Sequence, residues 1–383
     1  MIAAADVAER FRREFGHAGD VSWVPGRVNL IGDHVDYCGG PVLPMSIQFG
    51  TTIVTRATAS GRIRCLSANL PDEPIEVRCR AAIDLPQGSW GRFVAGAVAE
   101  LAAAGHALDG ADVLVAGDIP GSGLSSSASL SVALLFGLAR VAGFAFEPID
   151  LALAAQRIEH RHVGVECGLM DQAAVVLSKP DCALWFDCFD HRYRAIAVDP
   201  AVEVLVVDTR RARRLVDSQY NARLRETTLA AERLGTERAM LARLDADDFA
   251  MRSESIDDSV AQRRARHVVG EAGRVAQAVD ALAAGDWATV GRLFDASHAS
   301  LQRDFAVSCD ELDALTELLR SEPGCYGARM TGAGFGGNVV ALFARGHGAA
   351  ALVAIAGRYR ERFGTTPTGF VARSLGGARA LDG

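Results

Sequence analysis

A chain of 383 residues is too long for one ordinary domain, so two are expected. Its hydrophobic content of 49% and charged content of 23% are those of a globular protein, and a formal net charge of -7 lacks the basic footprint of a nucleic-acid binder. No apolar run approaches the ~18 residues a membrane helix needs. The opening MIAAADVAERFRREFG has no signal-peptide pattern, and a cytoplasmic location with no membrane partner is expected.

In chain order, residues 4–15 read as an amphipathic helix, and Val21–Val24 as a short strand. The strand feeds PGRVNLIGDHVDYCGGPVLP, residues 25–44, where Arg27, Asn29, Asp33, His34, Asp36 and Tyr37 crowd into a run broken by glycines. That density of directed donors and acceptors suits a polyhydroxylated or charged ligand; a capped turn with surface charges is the plainer alternative. Strands are expected over 47–56, 61–66 and 76–80, a helix over 90–104, and an apolar strand over 111–116.

Next comes DIPGSGLSSSAS, residues 118–129, then an apolar run to Val141. Strand, Gly/Ser loop and long helix in that order make an anion cradle: free N–H groups and the positive dipole end face the loop, and glycines admit the anion. An ordinary serine cap needs only one of these serines.

A helix over 148–161 carries Glu159 near its end. It runs into GVECGLMDQ, residues 164–172, where Asp171 is either a helix cap or a base presented at a helix start. Strands are expected over 183–186 and 202–207, with the domain boundary at Asp199-Pro200, dividing residues 1–200 from 201–383. Helices follow over 219–234, 263–282, 287–301, 308–319 and 349–363, strands over 339–343 and 368–374. The basic run Thr209–Arg214 reads as a solvated face.

Late in the chain, ARMTGAGFGGN, residues 328–338, formally matches G-x-G-x-x-G. A dinucleotide-binding motif should follow a first strand and open a helix. This one precedes a strand, so it reads as a glycine loop that approaches a ligand or the earlier loop.

The eight cysteines form no C-x-x-C pair and are expected to be reduced. His160 and His162 point apart on a helix and make a poor metal site. Lys179 is the only lysine, so a P-loop has no lysine to use, and any phosphate must be met by arginine, a metal ion and backbone N–H groups.

GRVNLIGDHVDYCGG, PGSGLSSSAS and RMTGAGFGGN, with EHRHVGVECGLMDQ between the last two, together resemble the GHMP superfamily of small-molecule kinases, and within it the galactokinases. The resemblance covers nearly the whole chain. It implies a two-domain α/β (α+β) GHMP kinase fold, the C-terminal domain ferredoxin-like, with the active site in the interdomain cleft. It implies transfer of the γ-phosphoryl of Mg-ATP to the C1 hydroxyl of galactose, with ATP and Mg2+ required and a monomer expected. On the matching positions, Asp171 would be the catalytic base and Arg27 its partner. Ser127 and Glu159 would bind magnesium. Gly121, Ser122, Gly123, Leu124, Ser125, Ser126 and Ser127 would cradle the phosphates, with Ser67 near the nucleotide. Asp33, His34, Asp36, Gly168 and Tyr220 would contact the sugar.

Three positions depart from the family pattern. Asp33 stands where glutamate is usual, and one missing methylene withdraws its carboxylate by ~1.5 Å; the family acid contacts the C6 side of the sugar. Cys38 replaces the usual asparagine. The loop Pro120–Leu124 is one residue short. An N-acetylgalactosamine or other pyranose 1-kinase, and a non-catalytic sugar/ATP sensor, are the alternative readings.

Overall fold

The computed structural model describes residues 2–80, 84–211 and 216–381. Three sheets organise it. The largest runs in the order 379–381, 20–29, 44–57, 111–117, 62–67, 75–78. All its pairings are antiparallel except that of Arg62–Ser67 with Ala111–Gly117. A second sheet of four antiparallel strands runs 325–331, 338–344, 202–208, 368–372. A third joins 41–42, 182–187 and 193–197. Helix and sheet are thus both present in each half, as the expected α/β (α+β) class requires.

The strand Asp20–Asn29 is longer than its hydrophobic pattern announced, because it continues through Pro25-Gly26. The register shifts there, between Pro25 and Arg27. A proline that cannot donate to the ladder is tolerated at such a bulge. The irregularity frees the Arg27 amide, which donates to Leu124 O at 3.1 Å and ties the strand to the Gly/Ser loop. A Cβ on Gly26 would press on that same carbonyl, 2.7 Å away.

Helices Gly91–Ala103, Ser126–Val141 and Pro148–Arg157 bury their apolar sides with the large sheet around Val94, Val113, Leu134, Leu138 and Leu151. A separate core runs between the halves: Val28, Ile31 and Ile47 pack with Val204, Val206, Val275, Phe294 and Val340. The helix Pro148–Arg157 does not stop where its α pattern ends. It widens into a π-helical turn, Ile158–Val163, closed by Gly164 in the left-handed region. Such turns re-aim side chains and cluster at functional sites.

Residues 199–200, the expected boundary, lie between the strands Tyr193–Ala197 and Val202–Asp208. The chain afterwards returns: Leu381, Ala380 and Arg379 pair with Val21, Ser22 and Trp23 of the first sheet. That strand, Tyr193–Ala197 and Cys325–Thr331 were not foreseen, the last because its arginine and threonine were read as part of a loop. In the basic run, Ala212, Arg213 and Arg214 lie outside the described residues. Among the described residues no helix is long and apolar enough to cross a membrane.

Candidate active site

Arg27 leaves the strand just past the bulge and is 5% exposed. Its Nε and Nη2 donate to one oxygen of Asp171, Oδ1, at 2.8 and 2.6 Å, and its Nη1 donates to Gly123 O at 2.9 Å. Asp171 stands in the first turn of the helix Met170–Leu177, where the dipole favours a carboxylate. Its other oxygen, Oδ2, accepts from Ser125 Oγ at 2.7 Å.

These groups open onto a cavity of about 210 Å³. Its walls bring together Arg27, Asp33, His34, Asp36, Ser127, Glu159, Gly168, Asp171 and Tyr220, all of them expected from the sequence. Asp36 packs against Gly168 so closely that a Cβ on that glycine would collide with the carboxylate. Burial, then the nearby Asp171 charge, push the Asp36 carboxyl up to about 7. Burial likewise pushes the His34 imidazole down to about 3, so the ring is neutral. His34 Nδ1 lies 3.0 Å from Tyr37 Oη, and Tyr37 meets Tyr220 edge-on at 5.5 Å.

Asp33 is held differently. Gly332 N donates to its Oδ1 at 2.9 Å, and Arg329 Nη2 lies 2.6 Å from its Oδ2. Arg329 is fully buried; it also donates to Leu30 O at 2.9 Å and Ser297 Oγ at 3.1 Å. Glu271 completes the group, accepting from Gly32 N at 3.1 Å, Ser297 Oγ at 2.6 Å and Arg274 Nε at 2.7 Å. Burial alone would raise the Glu271 carboxyl, but Arg274 and Arg329 outweigh it and bring it to about 2. The glycine loop at 332–337 therefore closes over residues 25–44: Gly332 and Ala333 line the cavity, and Asn338 Nδ2 reaches Ser122 O at 2.7 Å.

Glu159, placed by the π turn, is 4% exposed and accepts from Gln172 Nε2 at 2.7 Å. Burial raises its carboxyl to about 7, against hydrogen bonds from Gln172 and Ser127. Two hard oxygens, the Glu159 carboxylate and the Ser127 hydroxyl, suit a magnesium ion that takes its remaining ligands from phosphates and water. Among the described residues no group of three or more His, Cys, Asp or Glu side chains could hold a metal. His160 Nε2 faces the backbone of Cys167, 2.8 Å from its carbonyl oxygen.

A second cavity, of about 270 Å³, lies beside the Gly/Ser loop and is lined by Ser67, Gly121 and Ser126 with Asn69, Leu70 and Trp90. Of the remaining expected loop residues, Leu124 is core, 1% exposed, and Gly123 and Ser122 offer carbonyls to Arg27 and Asn338. Gly121 and Gly123 both have positive φ, 69° and 85°, which the tight loop requires. Sequence reasoning missed Arg329, Gln172, Asn69 and Trp90. Arg329 and Gln172 stood inside quoted motifs, and a cation or amide within a glycine-rich or acid-bearing motif was the available signal. Nothing local marked Asn69 or Trp90.

Comparison with known proteins defines the class first. Residues 92–179 match the N-terminal domain of the GHMP kinases and residues 278–361 the C-terminal domain. The Methanococcus jannaschii mevalonate kinase structure shares the fold at 14% identity, with a TM-score of 0.63 over 95% of this chain and 99% of that one. Within that class, residues 9–57 match the galactokinase galactose-binding signature. A galactokinase of Roseiflexus sp. (strain RS-1) is 39% identical over 100% of this chain and 98% of its own. The Lactococcus lactis galactokinase complexed with galactose superposes with a TM-score of 0.94 at 34% identity, covering 98% of this chain and 99% of that one. The chain belongs to the galactokinase family of ATP-dependent sugar kinases.

Proposed function

We propose that the chain phosphorylates the C1 hydroxyl of galactose, with Asp171 as base, and that the 210 Å³ cavity holds the sugar while the cavity beside Ser67 and Trp90 holds the nucleotide. The observation that carries this reading is the Arg27–Asp171 pair, set in one wall with the Ser127–Glu159 pair and with Asp33, His34 and Asp36.

Phosphoryl transfer asks for positioning and charge stabilisation more than for covalent chemistry. Asp171 takes the C1 hydroxyl proton as the sugar oxygen bonds to the γ-phosphorus and the bond to the β–γ bridging oxygen breaks, leaving ADP. Arg27 holds the Asp171 carboxylate in place through two hydrogen bonds and adds positive charge beside the transferring group. Asp36 and His34 accept and donate to sugar hydroxyls. Gly168 leaves room for Asp36 to do so. The loop Gly121–Ser127 presents N–H groups and hydroxyls to the phosphates at the start of the helix Ser126–Val141. Trp90 offers a flat apolar surface to a base. Ser127 and Glu159 would hold Mg2+, which when bound neutralises phosphate charge. With the division taken at 199–200, the proposed phosphate loop and base fall in the first unit and the glycine loop at 332–337 in the second. The eight free cysteines fit a reducing cytoplasmic setting.

The test is ADP release with galactose, N-acetylgalactosamine, glucose, arabinose and 6-deoxygalactose. Turnover is expected with galactose first. Turnover of N-acetylgalactosamine well above galactose would overturn the galactose assignment, and no turnover of any sugar would overturn the kinase reading.

A further inference from the structure

Ser125 stands immediately before the helix Ser126–Val141, where a serine ordinarily folds its hydroxyl back onto a helix amide. It does not: no side-chain cap bond is present. Its backbone sits in the left-handed region, φ 63° and ψ 44°, which favours glycine and which a serine occupies under strain. A strained residue persists only where its surroundings or its task require it. Here the strained conformation carries the hydroxyl of this residue, 6% exposed, away from the helix and onto Asp171 Oδ2, 2.7 Å away.

The two oxygens of Asp171 are thereby made unequal. Oδ1 takes two bonds from Arg27 and has no accepting capacity to spare. Oδ2 takes one, from Ser125, and keeps one lone pair on a side chain that remains 28% exposed towards the cavity. With Oδ1 fixed by Arg27 alone, the carboxylate could still turn about the Cβ–Cγ bond. A second donor on Oδ2 sets its plane.

We propose that Ser125 is the positioning residue of the base: it spends its hydroxyl on Asp171 instead of on a phosphate, and aims the remaining Oδ2 lone pair at the substrate hydroxyl. The inference rests on Asp171 being the base, as proposed above. It assigns Ser125 a task distinct from that of Ser127, two residues on, which faces Glu159.

The strain supplies its own control. Ser125→Gly removes the hydroxyl and relieves the left-handed backbone, so its melting temperature should equal or exceed that of the unmodified chain. Ser125→Ala removes the hydroxyl and keeps the strain. Both should lose kcat by roughly 10- to 100-fold, the scale of a misaimed catalytic group, with KM for sugar and for Mg-ATP within about twofold. An undiminished kcat in Ser125→Gly would overturn the proposal. So would a loss confined to the KM for Mg-ATP, which would make Ser125 a phosphate donor. If one variant fails to fold, the other carries the same kcat comparison. Asp171→Ala is measured alongside: full activity there would mean that the base assignment itself is wrong, whereas an inactive Asp171→Ala beside a fully active Ser125→Gly would sink only the role of Ser125.

Discussion

Asp36, proposed above to bind the sugar, lies in an unfavourable electrostatic setting, since burial and the Asp171 charge both resist its ionisation. The folded carboxyl holds its proton up to about pH 7, whereas an unfolded one releases it near ~4. The stabilisation from that proton is complete below the unfolded value and is lost as pH rises through about 7. Thermal melts of the ligand-free protein between pH 5 and 8 should therefore show a fall that Asp36→Asn flattens; parallel curves for the two proteins would exclude Asp36 as the source. A sugar hydroxyl donating to Asp36 prefers the ionised form, so the sugar KM should drop over the same interval in the unmodified chain. Gly168 makes a sharper case. Gly168→Ala puts a methyl where the Asp36 carboxylate lies, so the acid must leave its place. Loss of one charged hydrogen-bond acceptor costs about 1.5–3 kcal/mol, a rise in sugar KM of roughly 10- to 100-fold, with the KM for Mg-ATP little changed. Steady-state kinetics with each substrate varied in turn distinguishes this from general damage.

Among the elements, the helix Ser259–Ala283 does more than cover the core. It presents His267, Glu271 and Arg274 at spacings of four and three, and so on one face. That face lies under residues 32–33: His267 Nε2 is 3.1 Å from Asp33 O, and Glu271 takes the Gly32 amide. Breaking a buried pair by removing one member leaves an uncompensated charge, at about 3–5 kcal/mol, while replacing both with apolar groups is often nearly neutral. Arg329→Met should thus lower the denaturation midpoint strongly, and Asp33→Leu added to it should restore part of the loss. Chemical denaturation of the two variants checks this, and a double variant no better than Arg329→Met would show the charges to be uncoupled. The same contrast explains what the sequence displayed and what it concealed. Arg27, Asp33, His34 and Asp36 stood out because they crowd one short motif, whereas Glu159 and Asp171 took their expected roles from the resemblance; all six line one cavity. The strands and helices with clean periodicity were legible because their pattern too is local. Arg329 was not, because its partners Leu30 and Asp33 lie some three hundred residues away and no local pattern encodes that meeting. The π turn at Ile158–Val163 was read as a plain continuation of its helix, since a one-residue widening leaves the hydrophobic pattern almost intact. Ser125 was assigned to the phosphates because three consecutive serines look alike until the backbone shows which of them is left-handed.

For the whole molecule, the return of the chain end to the first sheet ties the two halves together from outside as the buried ionic group does from within. Arg379 also stacks its guanidinium over Trp23 at 4.3 Å, and Ala378 N donates to Val175 O at 2.9 Å. Truncation before Gly376 should lower the melting temperature by a few degrees, on the scale of ~2 kcal/mol in a chain of this size, and should promote self-association through the uncovered edge of Asp20–Asn29. Differential scanning fluorimetry and size-exclusion chromatography test the two effects, and an unchanged melting temperature would mean the last strand is only decorative. That strand has a further consequence during synthesis. Residues 20–29 are made some 350 residues before the neighbour that covers their open edge, and Asp33 some 300 before Arg329. At about 5–20 residues per second, roughly 15–60 s pass with Asp33 translated and its arginine not yet made. The nascent N-terminal half therefore waits with an unpaired strand edge and an unneutralised acid. Conditions that slow translation prolong that wait and should raise the demand for chaperones without changing the finished enzyme.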